Sequence, residues 1–111
     1  MANSYYDPHD LSRFDDMGED ASELWRRFQQ WYGPVFEEGS LSSREKALIA
    51  LAVSHAVQCP YCIDAYTQEC LQNGTDLEQM TEAVHVAAAI RGGATLVHGL
   101  QMRKVAEKLS M

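Results

Sequence analysis

The stretch that most limits what this chain can fold into is Ala47–Val57, ALIALAVSHAV. Nine of its eleven residues are apolar, and only Ser54 and His55 are polar. A helix that is apolar on nearly every side has to be buried on most of them. The segment therefore reads as the central helix of a bundle or an oligomer. Ser42 and Glu45 stand at capping-box spacing just before it, each side chain placed to satisfy a free amide of the first turn. The helix is expected to end near Val57, because Cys59-Pro60 follows. Proline is tolerated in the first turn of a helix, where its missing N–H costs nothing. A second helix is thus expected from Pro60, with Cys59 as its N-cap, to about Asn73. There Asn73-Gly74 supplies a left-handed stop.

The flanking sequence is helical in pattern too. Asp10 can cap a short helix over Leu11 to about Met17. Asp20 and Glu23 have capping-box spacing for a helix over about Ala21–Tyr32, with Leu24, Phe28 and Trp31 on one face. Gly33-Pro34 is expected to interrupt it. Thr75 and Glu78 would open a long helix from Asp76 that continues to the C-terminus. Its small residues near Gly92-Gly93 would mark a kink or a close approach by another helix. Nothing reads as a strand. The expectation is an all-α fold in one domain, residues 1–111, with residues 1–20 as an N-terminal arm.

The formal net charge is −7, which argues against nucleic acid or an anionic membrane as partner, since both need a basic surface. No apolar run reaches the ~18 residues of a membrane-spanning helix. The start, MANSYYDPHD, has neither a basic nor an apolar leader region. The cytoplasm is the expected location. There the three cysteines do not suggest a disulfide framework, and C-x-x-C points to redox or metal chemistry. A structural zinc site would need two further ligands. No second C-x-x-C or H-x₃₋₅-H is present, so neither a metal nor a bound cofactor is expected.

The thiolate is the reactive form of cysteine, and helix N-termini favour it. Cys59 as N-cap and Cys62 in the first turn both occupy such positions. One thiolate would attack a peroxide or disulfide and the other thiol would resolve the intermediate. If the junction stays roughly helical, His55 would lie one turn from Cys59 and take a proton from a thiol; the alternative is a hydrogen-bonded core histidine. Tyr66, four residues after Cys62, shares its stripe, either as a hydrogen-bond donor or as a packed aromatic. Cys70, about 12 Å from Cys62 along a helix, reads as a buried small hydrophobe. His85 and His98 read as structural, although His85 could face the cysteines.

Arg44 to His55, followed by Cys59-Pro60-Tyr61-Cys62-Ile63-Asp64-Ala65, resembles the carboxymuconolactone decarboxylase and alkyl hydroperoxidase D-like family over about residues 35–100. Tyr5 to Pro8, Trp31-Tyr32-Gly33, Glu38-Gly39 and Met80 to Gly93 extend a narrower likeness, to the arsenosugar-biosynthesis-associated peroxidase-like proteins, over nearly the whole chain. The resemblance implies an all-α homo-oligomer, a trimer or hexamer, with Cys62 as the peroxidatic and Cys59 as the resolving cysteine. It implies a small hydroperoxide or disulfide as substrate and a dithiol reductant. Two departures stand out. The family's peroxidase branch carries a glutamate where this chain has Ala47, and a histidine where it has Tyr66. The usual proton relay therefore does not transfer, and His55 is the nearest substitute. The decarboxylase branch is not defined by a cysteine pair, so thiol chemistry is favoured. The alternatives are a binding protein for a thiophilic arsenical through Cys59 and Cys62, and a catalytically silent structural oligomer.

Overall fold

The structure, a computed structural model, describes residues 5–110; the first four residues of the expected arm lie outside them. A 3₁₀ helix, Pro8–Gly18, is followed by α1 (Ser22–Val35), α2 (Ser43–Ala56), α3 (Pro60–Gln72) and α4 (Leu77–Ser110). No strand occurs among the described residues, and the fold is all-α.

Helix α2 packs against both α3 and α4. Its first turn carries the expected capping box, with Glu45 N donating to Ser42 Oγ (3.0 Å) and Ser42 N to Glu45 Oε1 (2.8 Å). One edge of α2, Ala47 with Leu51, meets Cys70 of α3 and Met80 of α4, and Leu48 and Tyr66 pack around that core. Ser54 is buried at the same edge and donates to Ala50 O. The expectation that α2 is buried on most sides is not met within a single chain. Ile49, Val53 and Val57, four residues apart on the other face, are 50, 52 and 65 % exposed.

The N-terminal half departs from expectation in informative ways. Asp7, not Asp10, caps the 3₁₀ helix, accepting from His9 N; Asp10 instead accepts from the Tyr61 hydroxyl at 2.7 Å. Helix α1 starts without a side-chain cap because its N-cap is Ala21 rather than Asp20 and has no side-chain acceptor, and Glu23 is engaged by Arg26 and Arg27 in charge-assisted contacts stronger than one to a neutral amide. It also continues through Gly33-Pro34. The residue before a proline is crowded mainly through its Cβ, which Gly33 lacks, and Pro34 falls in the last turn. The packed face of α1 is Trp25, Phe28 and Tyr32, while Leu24 and Trp31 are exposed. Trp25 lies over Gly18, where a Cβ would come within 2.6 Å of its ring.

At the start of α4 the capping box forms one residue later than expected, between Asp76 and Gln79, and Thr75 is buried. The helix runs unbroken past Gly92-Gly93, and neither glycine has a neighbour there. From Leu96 onward its apolar residues are exposed, Leu96 and Leu109 by 80 % each.

Helices α2 and α3 end in the same way. Cys59 N bonds to Ser54 O and Gln58 N to His55 O at the end of α2; Thr75 N bonds to Cys70 O and Gly74 N to Leu71 O at the end of α3. Both are Schellman turns. The left-handed position is Gly74 (φ 80°) in one and Gln58 (φ 57°) in the other. A side chain there costs about 1 kcal/mol, and glycine gives back part of that gain to the unfolded chain. Denaturant titration should therefore show Gln58→Gly stabilising by roughly 0.5–1 kcal/mol and Gly74→Ala destabilising by about 1 kcal/mol. Equal effects of the same sign would contradict the assignment of these turns.

Candidate functional site

The left-handed residue Gln58 turns the chain out of α2 and delivers Cys59 in extended conformation (φ −104°, ψ 102°) as the N-cap of α3. Pro60 takes the next position, where no amide is needed. Cys59 Sγ accepts the amide of Cys62 at 3.2 Å, so the first thiol caps the helix that carries the second. Both cysteines are free and half-buried. The arm holds this turn from outside. Tyr6 Oη donates to Asp64 Oδ2 at 2.7 Å, its ring packs 4.8 Å from that of Tyr61, and Tyr61 reaches Asp10.

Cys62 opens into a cleft of about 440 Å³. Its walls are the end of α1 (Tyr32, Val35 and Phe36), Leu41, the exposed stripe of α2, and Tyr66 of α3. Lys46 is the charged group at this cleft; its ammonium donates to Glu37 O. Tyr66 anchors the far wall. Its hydroxyl makes a very short hydrogen bond with that of Tyr32, and its ring stacks on Phe36 at 5.2 Å.

The electrostatics differ from what helix position alone suggests. The Cys62 thiol is pushed up to about 11, chiefly by burial and then by its hydrogen bond and charge interaction with Cys59. Loss of water outweighs the amide dipoles of the first turn. Burial and the Tyr32 hydroxyl likewise raise Tyr66 far above the usual phenol, which keeps it protonated. Cys70 is fully buried, and burial raises its thiol too, in keeping with a packing role.

Of the residues singled out from sequence, Cys59, Cys62 and Tyr66 are brought to one turn and one cleft. His55 is not a wall of that cleft. The junction is not helical, and the imidazole Nδ1 lies 2.8 Å from Leu51 O. Its ring faces a separate depression between α2 and α4, beside Arg91. His85 is exposed on α4 and does not line the cleft. Tyr32 and Phe36 were missed as site residues. The signal available for them was the aromatic repeat Phe28, Tyr32, Phe36 at four-residue spacing. Among the described residues no group of three or more His, Cys, Asp or Glu is placed to hold a metal ion, and no helix is long and apolar enough to cross a membrane.

The sequence profile described as the carboxymuconolactone decarboxylase family matches residues 22–104. A Paracoccus denitrificans protein described as uncharacterized protein 4 in cox locus is 40% identical over 75 residues, 68% of each chain. A crystal structure from Methanobacterium thermoautotrophicum is similar with a TM-score of 0.72 and 34% identity, over 76% of this chain and 94% of that one. An apo carboxymuconolactone decarboxylase family protein from Legionella pneumophila is similar with a TM-score of 0.66 and 25% identity, over 90% and 89% of the two chains. These similarities reach the family and no narrower group.

The raised Cys62 thiol has a direct consequence. Its thiolate forms only as pH rises towards about 11, so the free site holds about 10⁻⁴ of Cys62 as thiolate at neutral pH. Iodoacetamide capture of Cys62, read by peptide mass spectrometry, should climb about tenfold per pH unit through pH 9 and level off only near pH 11. A plateau by pH 8 would contradict this environment.

Proposed function

This chain belongs to the carboxymuconolactone decarboxylase family, and we propose that it is a dithiol oxidoreductase that reduces a small hydroperoxide, or exchanges disulfides, through Cys62 and Cys59. The observation that carries the reading is the arrangement of two free thiols on one helix turn. Cys62 opens into an apolar cleft, and Cys59 is held three residues away by the Cys62 amide. Cys62 as thiolate attacks the distal peroxide oxygen, and the O–O bond breaks to leave a sulfenic acid. Cys59 then attacks that sulfur, water leaves, and an intrachain disulfide forms. A dithiol reductant restores the pair by exchange. No metal or bound cofactor enters the chemistry.

Stoichiometric peroxide added to the reduced protein should remove two hydrogens per chain and place the new bond between Cys59 and Cys62 by peptide mapping. Persistence of both thiols in folded protein would refute the reading. Cys59→Ser should instead accumulate a dimedone-reactive sulfenic acid at Cys62.

The same reading includes self-association through α4. A helix of 34 residues is about 51 Å long, and the half beyond Gly93 has no covering element among the described residues. Most of the stability of a helix in a protein comes from packing of its apolar face. Leu96 and Leu100 lie on one face and are exposed, and Arg103, Lys104 and Lys108 against Glu107 make the arm basic in a chain of net charge −7. A second copy of the chain is an occupant that is apolar in places and acidic overall, which complements this arm. Light scattering should give the mass of an oligomer for the native chain and a lower mass for Leu96→Glu with Leu100→Glu. A native monomer at micromolar concentration would rule this out.

A further inference from the structure

The cleft beside Cys62 runs along α2, and its two ends differ in chemistry. On α2 it is lined by Lys46, Ile49, Ala50, Val53, Ser54 and Val57, a single face at three- and four-residue spacing. The cysteine turn closes the C-terminal end of that face, where Cys59 N bonds to Ser54 O. Lys46 stands at the other end, about 12 Å along the axis from Ser54. Between them Ile49 and Val53 lie half-exposed, with Phe36 and Leu41 among the other walls. Lys46 carries the one formal charge among the described residues that line the cleft. An ammonium has three hydrogens. One goes to Glu37 O, and two are left. None of the ion pairs among the described residues involves Lys46. Its sequence neighbour Glu45 has its carboxylate on the Ser42 amide.

A cation at one end of an apolar groove and a thiol at the other complement a molecule with an anion and a reactive group at opposite ends of an apolar chain. Resting on the dithiol reading above, we propose that the cleft takes a medium-chain monocarboxylate bearing a hydroperoxide. The carboxylate accepts from the spare Lys46 hydrogens, the chain covers Ile49 and Val53, and the hydroperoxide reaches Cys62. A zigzag of about ten carbons, with bonds of ~1.5 Å, spans the ~12 Å between the ends. The volume of about 440 Å³ is ordinary for a small-molecule cleft. The exposed α4 arm of a second copy is a poorer occupant, because its Arg103, Lys104 and Lys108 would bring like charge to Lys46. In the reaction, R–O–O–H and two thiols give R–OH, water and the Cys59–Cys62 disulfide. The peroxide gains the two electrons that the sulfurs lose, and the dithiol reductant returns them. The carboxylate takes no part in bond breaking, so Lys46 sets which substrate binds and acts through KM.

Calorimetric titration of the reduced full chain with decanoate, 1-decanol and acetate reads the site without turnover. Decanoate should bind about tenfold or more tightly than 1-decanol, and acetate should not bind. Lys46→Met should bring decanoate down to the affinity of 1-decanol and leave 1-decanol unchanged, and Lys46→Arg should keep the preference. Bound decanoate should shield Cys62 from iodoacetamide. With dithiothreitol as reductant, decanoate carrying a terminal hydroperoxide should show a KM about tenfold below that of its methyl ester at equal kcat, a difference that Lys46→Met erases. Equal affinity for decanoate and 1-decanol in the native chain would overturn the proposal, whether or not the variants fold. So would equal loss of both ligands in Lys46→Met. Decanoate binding only at dilutions where the chain is monomeric would give the groove to a second copy, and would overturn it too. Decanoate held through Lys46 with no thiol lost to either hydroperoxide would refute the peroxidase reading and the substrate role with it. Reduction of both hydroperoxides at one KM would leave that reading standing and refute this one.

Discussion

Everything at the site depends on how α2 hands over to α3. The Schellman turn closes α2 with backbone bonds from Gln58 and Cys59, and the left-handed residue swings the chain so that Cys59 leaves in extended form. Only from that conformation does an N-cap side chain point back at the first-turn amides. Had the backbone stayed helical, His55 would have stacked under Cys59 and no cap would have formed. One dihedral angle therefore decides both which residue caps α3 and which residues stay out of the cysteine site.

The cleft is completed by a part of the chain that is remote in sequence. A line of aromatic rings runs from Phe14 through Trp25, Phe28, Tyr32 and Phe36 to Tyr66, with successive centroids 4.9 to 5.6 Å apart. Offset and edge contacts of this kind each add to simple burial. The 3₁₀ helix and α1 are thereby tied to α3 through side chains. Tyr32, Phe36 and Tyr66 at the end of this line share the cleft with Cys62.

The helices were legible where the signal is local. The Ser42–Glu45 box, the Cys59-Pro60 start and the Gly74 stop each involve residues within a few positions, and each appears in the structure. The errors came where a distant partner competes. Glu23 turned to two arginines, and Asp10 turned to Tyr61. Gln58 gives no turn signal in sequence, because glutamine rarely takes a left-handed conformation. Its neighbours Ser54 and His55 supply the carbonyls that hold it there. At the site, the cysteine pair was legible from spacing alone. The thiol's acidity was not, because dipole and burial act in opposite directions and burial is set by tertiary packing that local spacing does not reveal. The separation of His55 from the cleft was hidden for the same reason that Gln58 was.

The Cys59 cap also couples oxidation state to helix integrity. In the dithiol form, the Cys59 sulfur accepts the Cys62 amide, and a thiolate there accepts it more strongly. A sulfur engaged in a disulfide is a poorer acceptor and carries no charge to meet the helix dipole. On the dithiol reading proposed above, joining the pair would therefore weaken this cap of α3. The Cys62 amide becomes a reporter of redox state, exchanging its hydrogen slowly while the pair is reduced and faster once it is joined. The bond that starts the helix would then also register the state of the pair.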